Sequence, residues 1–182
     1  MIETAGPAPV DAPFRAATLD DVPALHALIE SAYRGEAAKS GWTHEADLLG
    51  GQRTDPAMLA ELLADPAQTM LLAESAGGLR GCVQLTAKGG GLFYLGLLSV
   101  APRVQAAGLG KQLLAAAEAR ARDQGGRAIE MTVIRQRPEL IAFYERRGYA
   151  LTGERRPFPY GEPRFGQPAR DDLEFVVLAK RL

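Results

Sequence analysis

One short turn limits what this chain can fold into more than any other feature. Residues 105–114 read QAAGLGKQLL, with two glycines and a lysine at the start of a helix-like stretch. The strand-like run LFYLGLLSVAP comes directly before them. Glycine-rich turns between a strand and a helix often bind phosphate, because their backbone N–H groups point at an anion. The turn therefore predicts a phosphate-bearing ligand held between this strand and this helix.

The spacing of the turn differs from that of two well-known phosphate-binding turns. A P-loop has a glycine five residues before its Gly-Lys pair and a serine or threonine after it. This chain has Gln105 and Gln112 at those positions. A dinucleotide-binding turn has a third glycine three residues after Gly110, where this chain has Leu113. Neither pattern fits.

Helical and strand-like patterns follow one another along the rest of the chain. A capping box at Thr18 and Asp21 predicts a first helix, a second is predicted from near Thr43 to Gly50–Gly51, and Asp55 is the predicted N-cap of a third. Three strand-like runs joined by glycine turns follow: QTMLLAES, LRGCVQLTA and LFYLGLLSV. After the long helix that begins at the turn come the strand AIEMTVI, the helix PELIAFYERRG, and the strands YALTGE and DLEFVVLAK.

This order predicts an α+β fold, an α/β mixed sheet with helices on both faces. No repeat, low-complexity block or linker divides the chain, so residues 13–182 are predicted to form a single domain. The start of the chain, MIETAGPAPVDAP, is rich in proline and alanine. Residues 1–12 are therefore predicted to form a disordered tail.

The composition argues against several kinds of partner. The 182 residues carry a formal net charge of −1, which favours neither nucleic acid nor an anionic membrane as a partner. No apolar run approaches the ~20 residues that cross a bilayer, and the start lacks the pattern of a signal peptide, so a cytoplasmic location is expected. A single cysteine, Cys82, and only two histidines predict no internal disulfide and no metal site.

Two motifs in sequence carry a resemblance to a known family. The turn Gln105–Gly110 has the form Q/R-x-x-G-x-G/A, and residues 140–154 read LIAFYERRGYALTGE, with Tyr144 before a Glu-x-x-Gly-aromatic sequence. A helix and a strand separate the two motifs. From about Phe14 to Leu182 the chain resembles the GNAT family of N-acetyltransferases. The resemblance implies an acyl-CoA N-acyltransferase fold, whose mostly antiparallel central sheet is splayed between its fourth and fifth strands.

The resemblance also implies acetyl-CoA as co-substrate, without a metal. The pyrophosphate would lie on the turn and the pantetheine along the preceding strand, with the backbone of Leu98 and Val100 as partners. Tyr144 would contact the cofactor and protonate the departing thiolate. Arg137 stands where the family often has an asparagine. The turn residues assigned to the cofactor are Gln105, Ala106, Ala107, Gly108, Leu109, Gly110 and Lys111.

The acceptor is expected to be a primary amine of a small molecule, flanked by residues 33–53 and the loop 155–172. In this family the first two helices usually form one wall of the acceptor pocket, so Glu45 is the predicted general base. Other candidate bases are Glu36, Asp47 and Glu130. Tyr33, Trp42 and Tyr160 are predicted to bind the acceptor, and Arg34, His44, Arg53, Phe158 and Arg164 lie in the same segments. Alternatively, the aromatic side chains cover the sheet edge and the arginines are solvated.

The predicted activity is direct acetyl transfer from acetyl-CoA to an amine. No acyl-enzyme is expected, because Cys82 lies on a strand away from the predicted site of acetyl transfer. A CoA-binding sensor or interaction module is an alternative function, and a protein N-acetyltransferase is another. Homodimers are common in this fold, and the sequence is compatible with one.

Overall fold

The computed structural model describes residues 14–41 and 44–182, and the predicted tail at residues 1–12 lies outside them. The helices are α1 (Val22–Tyr33), α2 (Gly35–Ala38), α3 (Pro56–Ala64), α4 (Leu109–Asp123) and α5 (Pro138–Glu145). Short 3₁₀ turns cover Leu19–Asp21, Pro102–Ala107 and Pro163–Phe165. The strands are β1 (Arg15–Ala16), β2 (Leu49–Gly50), β3 (Gln68–Ser75), β4 (Gly78–Gly89), β5 (Leu92–Val100), β6 (Ala128–Ile134), β7 (Ala150–Pro157), β8 (Gln167–Pro168) and β9 (Glu174–Arg181). None of the helices in this part of the chain has the length and apolar character needed to span a membrane.

The main sheet of the described residues has seven strands in the order β1-β3-β4-β5-β6-β9-β7. Neighbouring strands run antiparallel, except for β5 and β6, which run parallel. These two strands pair only where Leu92–Tyr94 faces Ala128–Glu130, although both continue further along the chain. The sheet therefore opens between its fourth and fifth strands in chain order, as predicted.

Helices cover both faces of the sheet, and successive strand residues contribute to two separate core clusters. In β3, Leu71 packs with residues of α4 and α5, whereas Leu72 packs with residues of α1 and α3. Successive side chains of a strand point to opposite faces, which explains the division. Residues of α1 at helical spacing, Leu25, Leu28 and Ile29, form its buried side. The predicted α+β fold with helices on both faces is confirmed.

Two of the predicted helix starts have the expected capping contacts. The N–H of Thr18 donates to Asp21 Oδ2 at 2.7 Å, directly before α1. At α3, Asp55 Oδ1 accepts a hydrogen bond of 2.7 Å from the N–H of Met58. A side-chain oxygen at this position satisfies an N–H group that has no partner within the helix.

The prediction of a helix from near Thr43 to Gly50–Gly51 is wrong. Thr43 itself lies outside the described residues. After it the backbone makes a single turn, in which the N–H of Leu49 donates to the carbonyl of Glu45 at 2.8 Å. The chain then enters β2, which pairs antiparallel with β8 in the loop after β7. The strand partner is distant in sequence, so the local pattern contains no sign of it.

Candidate active site

Two cavities meet in the gap between β5 and β6. The turn cavity, of about 250 Å³, is bounded by the glycine turn, α5 and the end of β5. The loop cavity, of about 290 Å³, is bounded by β5, β6 and the loop after β7. Tyr33, Leu98, Leu140 and Tyr144 line both cavities, and we call these four residues the junction. Ligands in the two cavities would meet at the junction.

The glycine turn leaves open space above the start of α4. Gly108 has a φ of 79°, in the left-handed region, and is the N-cap residue of α4. A Cβ placed on Gly108 meets no atom within 4 Å, so the backbone there is a cradle that a side chain would fill. The first N–H groups of a helix lack partners within it and carry the positive end of its dipole. The turn is therefore suited to bind an anion.

The residues predicted to hold the cofactor differ in what they offer to the turn cavity. The side chain of Leu109 is 1% exposed and packs in the core, so only its backbone is available. Gln105 Nε2 donates to the carbonyl of Val100 at 3.1 Å, which ties the turn to the end of β5. Ala106 and Ala107 lie within a 3₁₀ turn. The predicted residues that line the cavity are Leu98, Val100, Gln105, Gly108, Gly110, Lys111 and Tyr144.

A β-bulge interrupts β5 at the junction. One residue of β4, Val83, faces two residues of β5, Leu97 and Leu98. Among the described residues, Leu97 is the one non-glycine residue with a positive φ, 47°. Strained backbone and bulges are frequent at functional sites. The hydroxyl group of Tyr33 donates to the carbonyl of Leu98 at 2.6 Å, so a predicted acceptor residue touches the predicted cofactor strand.

Tyr144 lies at the junction with a hydroxyl group that bonds no described residue. Its side chain is 6% exposed, and its ring packs edge-on against Phe143 and Tyr149, with centroids 5.2 and 5.9 Å away. Burial raises the pKa of Tyr144 above its ordinary value. The phenol therefore stays protonated near neutral pH. Its side chain lines both cavities.

The charged side chains among the described residues that line the loop cavity are Arg34, Glu45 and Arg53. Arg34 Nη1 donates to Glu45 Oε2 at 2.6 Å, and the two side chains are only 4% and 12% exposed. Arg53 Nε lies 3.9 Å from the same oxygen. Glu45 Oε1 accepts no hydrogen bond from a described residue. Glu45 thus faces the cavity with one oxygen held by arginine and the other available.

The rest of the loop cavity is mostly apolar. Its only hydroxyl pair among the described residues joins Tyr94 to Thr132, with 2.8 Å between the oxygens, where β5 and β6 separate. Apolar and aromatic side chains form the remaining wall, among them Leu49, Phe158, Phe165 and Phe175. A ligand here would have a polar end near the arginines and an apolar body.

The structure brings together three of the residues predicted to act in catalysis or to bind the acceptor. Tyr33 and Tyr144 lie at the junction, and Glu45 lines the loop cavity. Trp42 lies outside the described residues. Tyr160 lines neither cavity. Its hydroxyl group instead donates to the carbonyl of Arg170 at 3.1 Å and accepts from the N–H of Leu173 at 2.7 Å, so it fastens the loop.

Arg147 lines the turn cavity, although it was not among the residues predicted from the sequence. Its Nη1 donates to the carbonyl of Phe143 at 2.6 Å, and its guanidinium carbon lies 3.5 Å from the centroid of that ring. Arg147 Nε is buried and has no hydrogen-bond partner among the described residues. The two basic residues after α5, Arg146 and Arg147, are the signal that marks this position in the sequence.

Cys82 is fully buried and lines neither cavity. It packs with residues of α1 and α3, on the face of the sheet away from α4. Burial raises the pKa of its thiol to about 12, so the group stays a thiol near neutral pH. In the described part of the chain, no three His, Cys, Asp or Glu side chains form a cluster that could hold a metal ion.

The comparisons with known proteins extend over most of the chain. No curated protein sequence matches it. Among solved structures, it is similar to the ribosomal-protein-alanine N-acetyltransferase from Brucella melitensis, with a TM-score of 0.69 and 21% identity over 94% of this chain and 100% of that chain. The IAA acetyltransferase from Bacillus cereus gives a TM-score of 0.66 and 16% identity over 93% of this chain and 99% of that one.

Nourseothricin acetyltransferase is 24% identical with a TM-score of 0.55, and the match covers 64% of this chain and 66% of that chain, slightly under two thirds of its length. At these identities the structural likeness shows the fold alone. The family itself is shown by sequence, because the family model described as "Acetyltransferase (GNAT) domain" matches residues 32–158, more than half of the chain. The chain with this open sheet and glycine turn belongs to the GNAT acetyltransferase family.

Proposed function

We propose that this protein transfers the acetyl group of acetyl-CoA directly to a primary amine of a small molecule. The observation that carries the proposal is the junction, where the turn cavity and the loop cavity share Tyr33, Leu98, Leu140 and Tyr144. Two ligands that enter from opposite sides would have their reacting atoms brought together there. Holding two reactants in contact removes much of the entropic barrier to a bimolecular reaction.

The turn cavity suits the phosphates of coenzyme A. The open cradle over Gly108 admits a phosphate group, and the first N–H groups of α4 point toward it. Lys111 and Arg147, which both line the cavity, supply positive charge. When acetyl-CoA is bound, its thioester supplies the activated acetyl group.

The end of β5 is suited to hold the extended arm of the cofactor. Beyond Tyr94 this strand has no ladder with β6, so its edge is open to an added strand. The bulge at Leu97 and Leu98 turns backbone groups out of the ladder with β4. We assign the N–H of Leu98 to stabilise the thioester oxygen as negative charge develops on it during attack.

Tyr144 is the proposed general acid. As the bond from nitrogen to the acetyl carbon forms, the carbon–sulfur bond breaks, and Tyr144 gives its proton to the sulfur so that CoA leaves as a thiol. Burial raises the pKa of Tyr144, but burial also makes a thiolate more basic, as the raised pKa of Cys82 illustrates. Proton transfer between the two groups therefore remains feasible.

Glu45 is the proposed general base, acting directly or through a water molecule. An amine arrives as ammonium and must lose a proton before its nitrogen can attack. Glu45 Oε2 is held by Arg34, which leaves Oε1 to accept that proton in the loop cavity. The position of Cys82 supports direct transfer without an acyl-enzyme, because its thiol is buried and lies outside both cavities.

A thiol-release assay with acetyl-CoA tests the proposal. Amino acids, polyamines, aminoglycosides and peptides serve as candidate acceptors, and mass spectrometry identifies the acetylated product. We expect release of CoA with a small amine. CoA binding without release for any amine would contradict the proposal and favour a CoA-binding sensor or interaction module, and release with peptides alone would favour a protein N-acetyltransferase.

The similar structures include acetyltransferases whose names point to different acceptors, such as ribosomal-protein alanine and IAA. The acceptor of this chain is therefore assigned from its own cavity. The cytoplasmic location and the absence of nucleic-acid and membrane partners remain predictions from the sequence, which is also compatible with a homodimer.

A further inference from the structure

Arg53 brings a guanidinium group with unused hydrogen-bond donors to the wall of the loop cavity. No described residue accepts a hydrogen bond from this group. It pairs with Glu45 Oε2, 3.9 Å from Nε, and lies over the ring of Tyr33, whose centroid is 5.3 Å from Cζ. The side chain is 27% exposed, so a ligand in the cavity can reach it. A guanidinium has five N–H donors arranged to match the two oxygens of a carboxylate.

The charges around the loop cavity leave a surplus of one positive charge among the described residues. Arg34 and Glu45 neutralise each other in a short, buried ion pair. Arg34 is further held by a bond of 3.4 Å from Nη2 to the carbonyl of Phe165. Arg53 reaches the same carboxylate only at the longer distance of 3.9 Å, so its charge is less fully compensated than that of Arg34, and an anion is what it would attract.

Hydrogen bonds to α1 fix the backbone of Arg53 close to the junction. Glu30 Oε1 accepts hydrogen bonds of 2.8 Å from the N–H groups of both Arg53 and Thr54, which fixes this segment to α1. Tyr33, itself a junction residue, has its ring beside the guanidinium of Arg53 and donates its hydroxyl hydrogen to the carbonyl of Leu98. One tyrosine side chain thus connects the proposed anion contact with the proposed reaction centre.

From these contacts we infer that the acceptor carries a carboxylate on the same small molecule as its amine, and that Arg53 binds this carboxylate. The inference rests on the proposed function and adds the substrate class. With the carboxylate on Arg53 and the amine at the junction, the two groups are a few bonds apart, as in an amino acid. The apolar wall, which includes Phe158 and Phe175, favours an amino acid with an apolar side chain. A polyamine is disfavoured because Glu45, the one carboxylate among the described residues that line the cavity, is already paired with Arg34.

Matched pairs of acceptors test the inference. Alanine, methionine and phenylalanine are each compared with the corresponding amino acid amide, which keeps the amine and side chain but lacks the carboxylate. Because the amide's amino group is less basic, kcat/KM is expressed per unprotonated amine. We expect at least one free amino acid to exceed its amide by about 10- to 100-fold, the range for a hydrogen-bonded charged contact. Equal or higher values for every amide, or spermidine as the best acceptor, would overturn the inference while leaving the proposed function intact.

Variants assign the effect to Arg53. In Arg53→Gln the preference for acid over amide should fall by about tenfold or more, and Arg53→Lys should retain part of it because the charge remains. Arg155→Gln is the matched control, since Arg155 is exposed on β7 and lines neither cavity. An unchanged preference in Arg53→Gln would show that Arg53 does not bind the carboxylate.

Product binding gives a readout that does not require turnover. The melting temperature of the CoA-saturated protein is measured with N-acetylmethionine and with N-acetylmethioninamide. We expect the acid to raise the melting temperature more than the amide does, and Arg53→Gln to abolish this difference. No difference between the two products in the unmutated protein would contradict the inference. If CoA itself raises the melting temperature and yet no amine releases thiol, the proposed function fails.

Discussion

The hydroxyl groups of Tyr33 and Tyr144 both belong to the junction, but they differ in their contacts. Tyr33 donates to the carbonyl of Leu98, whereas Tyr144 has no hydrogen-bond partner among the described residues. Burial raises the pKa of both, that of Tyr33 to about 12. Both therefore stay protonated near neutral pH. At the scale of single residues, Tyr144 is therefore the proposed acid, because its hydroxyl proton has no acceptor among the described residues, whereas that of Tyr33 is held by the carbonyl of Leu98.

Tyr144→Phe removes the proposed acid without changing the shape of the core. We expect kcat to fall by about 10²-fold or more, the usual contribution of a general acid, while the affinity for acetyl-CoA changes little. Steady-state kinetics and CoA titration measure the two quantities. Tyr149→Phe is the matched control, because its hydroxyl group bonds Glu118 in the core and lines neither cavity. Unchanged turnover in Tyr144→Phe would refute the assignment.

Glu45→Gln removes the proposed base while keeping an oxygen that can accept from Arg34. We expect kcat/KM to fall by about 10²-fold near neutral pH, and the defect to shrink as the pH approaches the pKa of the acceptor amine, where no base is needed. The pH–rate profile is therefore the measurement. Glu154→Gln, on β7, controls for loss of a surface charge. A defect that is the same at every pH would show that Glu45 only positions Arg34.

At the scale of elements, the glycine turn and α4 act as one unit. The left-handed φ of Gly108 turns the chain from the 3₁₀ turn into the helix, and the missing Cβ leaves room over the backbone. The short β2–β8 pairing is a second unit, because it joins the segment that carries Glu45 to the loop that carries Phe158. The turn could be recognised from adjacent residues. The β2–β8 pairing could not, because its two strands are far apart in the chain.

Gly108→Asp tests the turn. A side chain there would fill the cradle, and its carboxylate would repel the phosphates, so we expect the CoA-dependent rise in melting temperature to disappear. Thermal unfolding with and without CoA is the measurement. Gly153→Asp is the matched control: Gly153 also has a left-handed φ, 85°, and open space around its Cβ position, but it lies on β7. Both variants share the backbone strain, so a persisting response to CoA in Gly108→Asp would place the cofactor elsewhere.

At the scale of the whole molecule, the site depends on a sheet that opens along one line. β5 and β6 pair only where Leu92–Tyr94 faces Ala128–Glu130, and beyond these residues they diverge. The two cavities occupy the space between them. The fold class agrees with the prediction from hydrophobic periodicity, and the position of the opening agrees with the one that the resemblance to the GNAT family implies.

Folding stability at low pH should depend on Asp21. Arg15 bonds Asp21 and Glu74, and it holds the pKa of Asp21 at about 2, below its ordinary value of 3.8. The stabilisation is therefore complete above about pH 4 and is lost as the pH falls toward 2. For so exposed a pair we expect Asp21→Asn to cost about 1 kcal/mol near neutral pH and progressively less in acid.

Urea unfolding of Asp21→Asn and of the unmutated protein across this pH range measures the difference. Asp20→Asn is the control, because the neighbouring carboxylate of Asp20 bonds no described residue. A cost of Asp21→Asn that stays constant down to the lowest pH would show that the ion pair with Arg15 is not its source.

The sequence by itself determined the family, the fold class and the candidate cofactor turn. These depend on backbone conformation and on residues that are neighbours in the chain, such as Gly108 and Gly110, so a short stretch contains the whole signal. Only the tertiary structure decided which side chains face the loop cavity. Arg34 and Glu45 are paired, Arg53 is left with unused donors, and Tyr160 is turned to the loop backbone. Such contacts join elements that are distant in sequence, and their geometry exists only once the sheet, its opening and the loop are packed together.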